Sequence, residues 1–219
     1  MSVSKIISPI VPTLRPQDMG DRALALMEET GFLQLPVVAE DVYVALVSEN
    51  ELLDGDAGDK ELSAAGLLAF KPAISNLGHP YEALRIMNEM SLAVLPVCDE
   101  EHKYLGSVTR DELLKYVAEN SGLNNPGGIM VLEIAPRNYT LYEIARICEN
   151  EDVMILNLNV HTNEQGMLEV TLKLNRTVLD PVVSSFVRHN YTVKEVYGED
   201  SNDEDIADKY NLLMNYINM

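Results

Sequence analysis

The chain has 219 residues, 47% of them hydrophobic, enough to build one or two domain cores. Its 35 acidic against 16 basic residues leave a net charge of −19, a field that repels nucleic-acid phosphates and anionic membrane surfaces. No stretch approaches the roughly 18 apolar residues of a membrane span. Pro9, Pro12 and Pro16 break up the N-terminal segment, leaving no apolar run of the kind a secretory signal carries. With Cys98 and Cys148 in no motif, a reducing, cytoplasmic setting is expected, with neither nucleic acid nor membrane as a partner.

In chain order, "SKIIS" reads as a short lead-in helix. Asp18 stands where an N-cap belongs, and Ala23, Leu24 and Met27 set one apolar stripe of a helix. A buried strand over residues 35–38, an acidic turn, a second strand over 43–47 and a helix opening at Ser48 follow. The stretch "DGDAGDKE" (54–61), rich in Gly and Asp, reads as a surface link. The same grammar then recurs. "AAGLLAF" is a second lead-in helix, and His79 with Pro80 opens the next long one.

Sixty residues separate Pro36 from Pro96, and the same spacing joins Ala23 to Ala83, Leu24 to Leu84, Met27 to Met87, Glu29 to Glu89, Leu35 to Leu95 and Val37 to Val97. After the turn the spacing becomes 61. It then joins Ser48 to Thr109, Glu51 to Glu112, and Leu52 and Leu53 to Leu113 and Leu114. A run of identities at one spacing marks a duplication. The added residue falls in the turn, where insertions cost least. Each copy is a βαββα-like unit, and a second copy buries faces that a single one leaves uncovered.

"NSGLNNPGG" (120–128) is a linker of turn formers, beyond which the order changes to βαββαβ. "IMVLEIA" is a strand, and Thr140 is placed to cap the helix "LYEIARICEN". "VMILNLNVHT" and "MLEVTLKLN" form a hairpin around "NEQG", and the helix "VLDPVVSSFVRHN" and strand "TVKEVYG" close the unit. Such a split pattern lays two helices on one face of a sheet, so the fold class is α/β (α+β). The acidic run 199–208 suits a helix N-terminus. Ile206, Tyr210, Leu213 and Ile217 share one face of a docking helix over 201–219.

The two copies, "FLQLPVVAEDVYVALVSENELL" and "LAVLPVCDEEHKYLGSVTRDELLKY", resemble the CBS domain, and a tandem pair resembles a Bateman module. In the first copy Ala45 stands where that pattern usually has glycine. The order, size and position of the C-terminal unit resemble an ACT domain, and the whole arrangement resembles the acetoin-utilisation family of bacterial regulatory proteins. The resemblance implies CBS domains over 1–58 and 59–119, a linker over 120–128, an ACT-like domain over 129–200 and the acidic helix beyond. It also implies a homodimer, and an adenine ligand such as AMP, ATP or S-adenosylmethionine rather than a resident cofactor. The ribose and phosphate would fall to Ser48 and Glu51 in the first copy and to Thr109, Arg110 and Glu112 in the second. Leu35, Pro36, Val94, Leu95 and Pro96 would line the adenine slots. An ACT-type amino-acid site would fall at Arg137, Asn138 and Tyr139, with Tyr139 in place of the usual glycine.

The chemistry of those residues fits a nucleotide. A carboxylate accepts from both ribose hydroxyls, and a helix start offers free N–H groups to a phosphate. Yet S-x-x-E and T-x-x-E are also capping boxes, in which the Glu returns to its own N-cap N–H. One reading gives a non-catalytic sensor that signals ligand occupancy to a regulated protein, the other a ligand-free scaffold. The direction taken by Glu112 separates them. The four histidines have no metal-ligand spacing, and no phosphate loop, nucleophile elbow or paired-carboxylate motif is present, so no enzyme and no metal site is expected. Cys148, on an apolar helix face, reads as a buried thiol.

Overall fold

The computed structural model describes residues 2–198 and divides the chain after Val117 into two compact units. The expected C-terminal docking helix lies outside the described residues.

In the first unit, helix α1 (Gly20–Thr30) is followed by strands β1 (Gln34–Ala39) and β2 (Val42–Ser48) and helix α2 (Glu49–Asp54). The second copy repeats this as α3 (Pro80–Glu89), β4 (Val94–Cys98), β5 (Tyr104–Thr109) and α4 (Arg110–Asn120), preceded by the two-residue strand β3 (Ile74–Ser75). The duplication extends to detail. Both hairpins are antiparallel and shift register at the same place, after Val37 and after Val97. The turn between β1 and β2 holds Glu40 and Asp41 at positive φ, and the longer turn of the second copy holds His102 so.

Alternation sorts the strand residues. Leu35, Val37, Ala45 and Val47 enter the first core with Ala23, Met27 and Leu52, while Leu95, Val97 and Val108 enter the second with Ala83, Met87 and Leu113. Pro36 costs no ladder bond. Its carbonyl accepts from the Leu14 N–H at 2.9 Å, at the point where a short parallel contact with the preceding segment begins. Ile74 and Val97 make the equivalent parallel pair in the second copy.

Lead-in segments are exchanged between the copies. The N-terminal 3₁₀ turn (Val3–Ile6) buries Val3 and Ile6 in the second core, and the Ser8 N–H donates to the Ser107 carbonyl at 2.8 Å. In return, Ala65, Leu67 and Leu68 pack on the first core, and the Leu46 N–H donates to the Phe70 carbonyl at 2.9 Å. "AAGLLAF" is therefore not a helix. It turns at Gly66 (φ +75°), and residues 67–70 form neither helix nor strand. Gly106, at φ +136°, lies under Ile7 of the N-terminal arm, where an added Cβ would sit 2.4 Å from Ile7 Cγ2.

Two expected caps differ. The N-cap of α1 is Met19, and Asp18 instead accepts from the Arg15 N–H and pairs with Arg22 at 3.4 Å. The segment 54–61 is more than a surface link. Its Gly58 and Lys60 carbonyls accept from the Asp21 and Gly20 N–H groups, capping α1 with backbone. His79 caps α3 as expected, its Nδ1 accepting from the Tyr81 N–H at 3.1 Å, with Pro80 at the helix start.

The second unit runs β6 (Ile129–Ile134), α5 (Leu141–Asn150), β7 (Ile155–Thr162), β8 (Leu168–Leu174), α6 (Asp180–Arg188) and β9 (Thr192–Tyr197). Its antiparallel sheet has the order β7-β8-β6-β9, the ferredoxin-like arrangement. Met130, Leu132, Ile134, Val170, Leu172 and Leu174 meet Ile144, Ile147, Val182 and Phe186 from the two helices. Thr140 occupies the N-cap position of α5, but its hydroxyl makes no capping bond.

Candidate functional site

The two S/T-x-x-E motifs fold differently. In the first copy the box is closed. The Ser48 N–H and Oγ–H donate to Glu51 Oε2 at 3.0 and 2.7 Å, and the Glu51 N–H donates to Ser48 Oγ at 3.3 Å. In the second copy Thr109 is buried at the end of β5, and its Oγ1 accepts from the Glu112 N–H at 3.3 Å. No return bond forms. Among the described residues the half-buried Glu112 carboxylate has no hydrogen bond or ion pair, whereas Glu51 is bound to its own helix start.

Arg110 reaches back rather than out along its helix. Its Nε donates to the Leu92 carbonyl at 2.7 Å and its N–H to the Ala93 carbonyl at 3.3 Å, while the residue as a whole stays exposed. The acidic first copy has Glu49 at this place, its N–H donating to the Leu33 carbonyl at 3.0 Å.

Leu35 and Leu95 do not line a slot, since both side chains are fully buried in the cores. Alternation gives Gln34 and Pro36, and likewise Val94 and Pro96, to the opposite face. There the copies meet. The Ala93 N–H donates to Gln34 Oε1 at 2.8 Å, and the Tyr43 and Tyr104 rings stack with centroids 6.5 Å apart. Sequence reasoning missed Gln34, whose only signal was a polar residue opening a buried strand.

In the second unit, Pro136–Asn138 forms a single 3₁₀ turn on which Arg137 and Asn138 are exposed. Tyr139 packs against the core instead of leaving an opening. The two cysteines are buried, and burial pushes both thiols up to about 11, away from the reactive thiolate. Among the described residues no group of three or more His, Cys, Asp or Glu is placed to hold a metal ion, and no helix is long and apolar enough to cross a membrane.

Residues 3–58 and 80–119 match the CBS domain family. The chain carries a CBS domain pair. A putative acetoin utilization protein from Vibrio cholerae shares the fold, with a TM-score of 0.50 and 18% identity over 57% of this chain and 98% of that one. CBSX2 of Arabidopsis thaliana, solved in complex with AMP, aligns with a TM-score of 0.48 and 23% identity over 54% of this chain and 96% of that one. Inosine-5'-monophosphate dehydrogenase of Korarchaeum cryptofilum is 22% identical over 184 residues. That alignment takes in 83% of this chain but only 37% of the relative's length. The CBS pair thus corresponds to the duplicated half of the sequence, including the exchanged N-terminal arm.

Proposed function

We propose that the chain is a non-catalytic, cytoplasmic regulatory protein. Its CBS pair binds an adenine nucleotide or derivative at the second repeat and signals occupancy to a protein partner. The difference between Glu51 and Glu112 carries this reading. The Glu112 carboxylate is left without a protein partner beside the helix start, and a ribose diol can supply two donors to one carboxylate. Thr109 and the free Nη groups of Arg110 suit a single phosphate. Glu49, Glu51 and the −19 net charge penalise a polyphosphate. The second unit serves as an ACT-like regulatory domain. An amino-acid site at Arg137, Asn138 and Tyr139 draws less support, because Tyr139 is committed to packing.

The closed Ser48–Glu51 box favours one rival, a scaffold in which both motifs only cap helices. Thermal-shift and calorimetric titration with AMP, ATP, S-adenosylmethionine and amino acids separate the two, since a ligand of the native state raises the melting temperature. AMP is expected to bind. Glu112→Gln, which retains an amide oxygen but presents a weaker acceptor to the ribose, should lose affinity with little change in melting temperature. No ligand response from any of these compounds favours the scaffold. ATP binding much tighter than AMP without divalent metal would overturn the single-phosphate assignment.

A further inference from the structure

The backbone just before β4 is held from three directions. The Ala93 N–H donates to Gln34 Oε1 at 2.8 Å, from a residue 59 positions earlier in the first repeat. The Ala93 carbonyl accepts from the Arg110 N–H, and the neighbouring Leu92 carbonyl accepts from Arg110 Nε at 2.7 Å. The equivalent backbone of the first repeat has the Glu49 N–H bond to the Leu33 carbonyl, but Glu49 brings no guanidinium. The residue sixty positions after Gln34 is Val94, which has no polar group to return. The brace therefore runs one way. Gln34 pairs with Ser48 in the β1–β2 register, and Val94 with Thr109 in β4–β5. A side chain leaving the closed half-site thus supports the backbone of the open one.

We propose that Gln34 is a positioning residue for the ligand half-site of the second repeat. By holding the Ala93 N–H it fixes residues 92–94, against which Arg110 rests its Nε, and so directs the remaining guanidinium N–H groups at a ligand phosphate. The proposal rests on the adenine-nucleotide reading above. It departs from a purely structural role in one respect: its effect passes through Arg110, and is felt only by a ligand that has a phosphate.

The test measures AMP and adenosine binding by calorimetry to the full chain, to Gln34→Met, to Arg110→Met and to the double variant. Methionine keeps the length of Gln34 but offers no strong acceptor to Ala93. AMP affinity should fall about five- to tenfold in Gln34→Met, the scale of one half-buried hydrogen bond, while adenosine affinity stays at the wild-type level. The double variant should bind AMP no more weakly than Arg110→Met alone, because residues acting through one another are not additive. Equal weakening of AMP and adenosine, losses that multiply in the double variant, or unchanged AMP binding in Gln34→Met would each overturn the proposal while leaving the nucleotide reading intact. A wild-type chain that binds neither compound overturns both.

Discussion

Gly20 shows how one residue decides the start of a helix when no side chain caps it. Its N–H and that of Asp21 donate to the Lys60 and Gly58 carbonyls, so the loop backbone must come close. A Cβ on Gly20 would lie 2.2 Å from the Ala57 carbonyl oxygen, and Ala57 is itself buried. Helix propensity alone favours alanine over glycine by about 1 kcal/mol, yet Gly20→Ala should destabilise by about 1–3 kcal/mol, as overpacking against backbone does. Gly58→Ala should cost less, since its Cβ would meet only the movable end of Asp21, 2.3 Å away. Urea denaturation of both variants checks this ordering, and a stabilised Gly20→Ala would refute the backbone cap.

A second residue-scale prediction concerns Glu169 and Lys194, which pair on the sheet of the second unit. Hydrogen bonds from Lys194 and then Asn163 hold the Glu169 carboxyl below its usual range, and the bond to Glu169 raises Lys194. A carboxyl lowered on folding stabilises above its unfolded pKa, and that contribution is lost as pH falls through the folded value. A raised lysine stabilises below its unfolded pKa, and that contribution is lost as pH rises through the folded value. NMR titration should therefore find Glu169 below the ordinary glutamate range, and Lys194→Gln should move it back up. Lys194 is exposed and Glu169 is only partly buried, so the change in overall stability should be slight.

At the scale of elements, the exchanged arms explain why the duplication is needed: each copy's lead-in segment completes the other copy's core. Ile6 lies in the second core, although it begins the chain. Ile6→Ala should cost about 2 kcal/mol or more, and hydrogen exchange should accelerate in β4 and β5 before β1 and β2. Faster exchange in the first copy alone would contradict the exchange of arms. Such crossing could not be read from the sequence. The contacts around Leu14 and over Ile74–Ser75 span only one or two residues, too few to show a period. "AAGLLAF" has the composition of a helix, yet Gly66 stands at positive φ and Ala65, Leu67 and Leu68 pack on the other copy's core. The long strands and helices were legible because alternation and the apolar stripe persist over whole elements. The site was legible only in part. Ser48–Glu51 and Thr109–Glu112 match one pattern, and which glutamate turns back on its helix depends on packing that the motif does not encode. Gln34 was missed because its partner is a backbone N–H 59 residues away.

At the scale of the whole molecule, the two units have separate cores, and their sheets end differently. The CBS pair covers strand edges with its own arms, whereas the ferredoxin-like sheet leaves β7 and β9 as edges. β9 carries Lys194 and Glu195, charges that discourage pairing with another strand. β7, "ILNLNVHT", has eight residues with no proline, acidic residue, lysine or arginine among them, and Val160 is 45% exposed. Among the described residues nothing pairs with its outer edge. Beyond the register shift at Leu156, the run from Asn157 to Thr162 is a template for another strand, and in a symmetric assembly the same edge of a second copy can fill it. A homodimer joined through β7 is therefore the expected state. Sedimentation at tens of micromolar should give twice the chain's mass of 24.4 kDa. Val160→Lys should shift the protein towards monomer while circular dichroism and melting temperature change little, because the side chain is already exposed. A dimer that survives Val160→Lys unchanged would move the interface away from this edge, and a wild-type monomer would remove the dimer altogether.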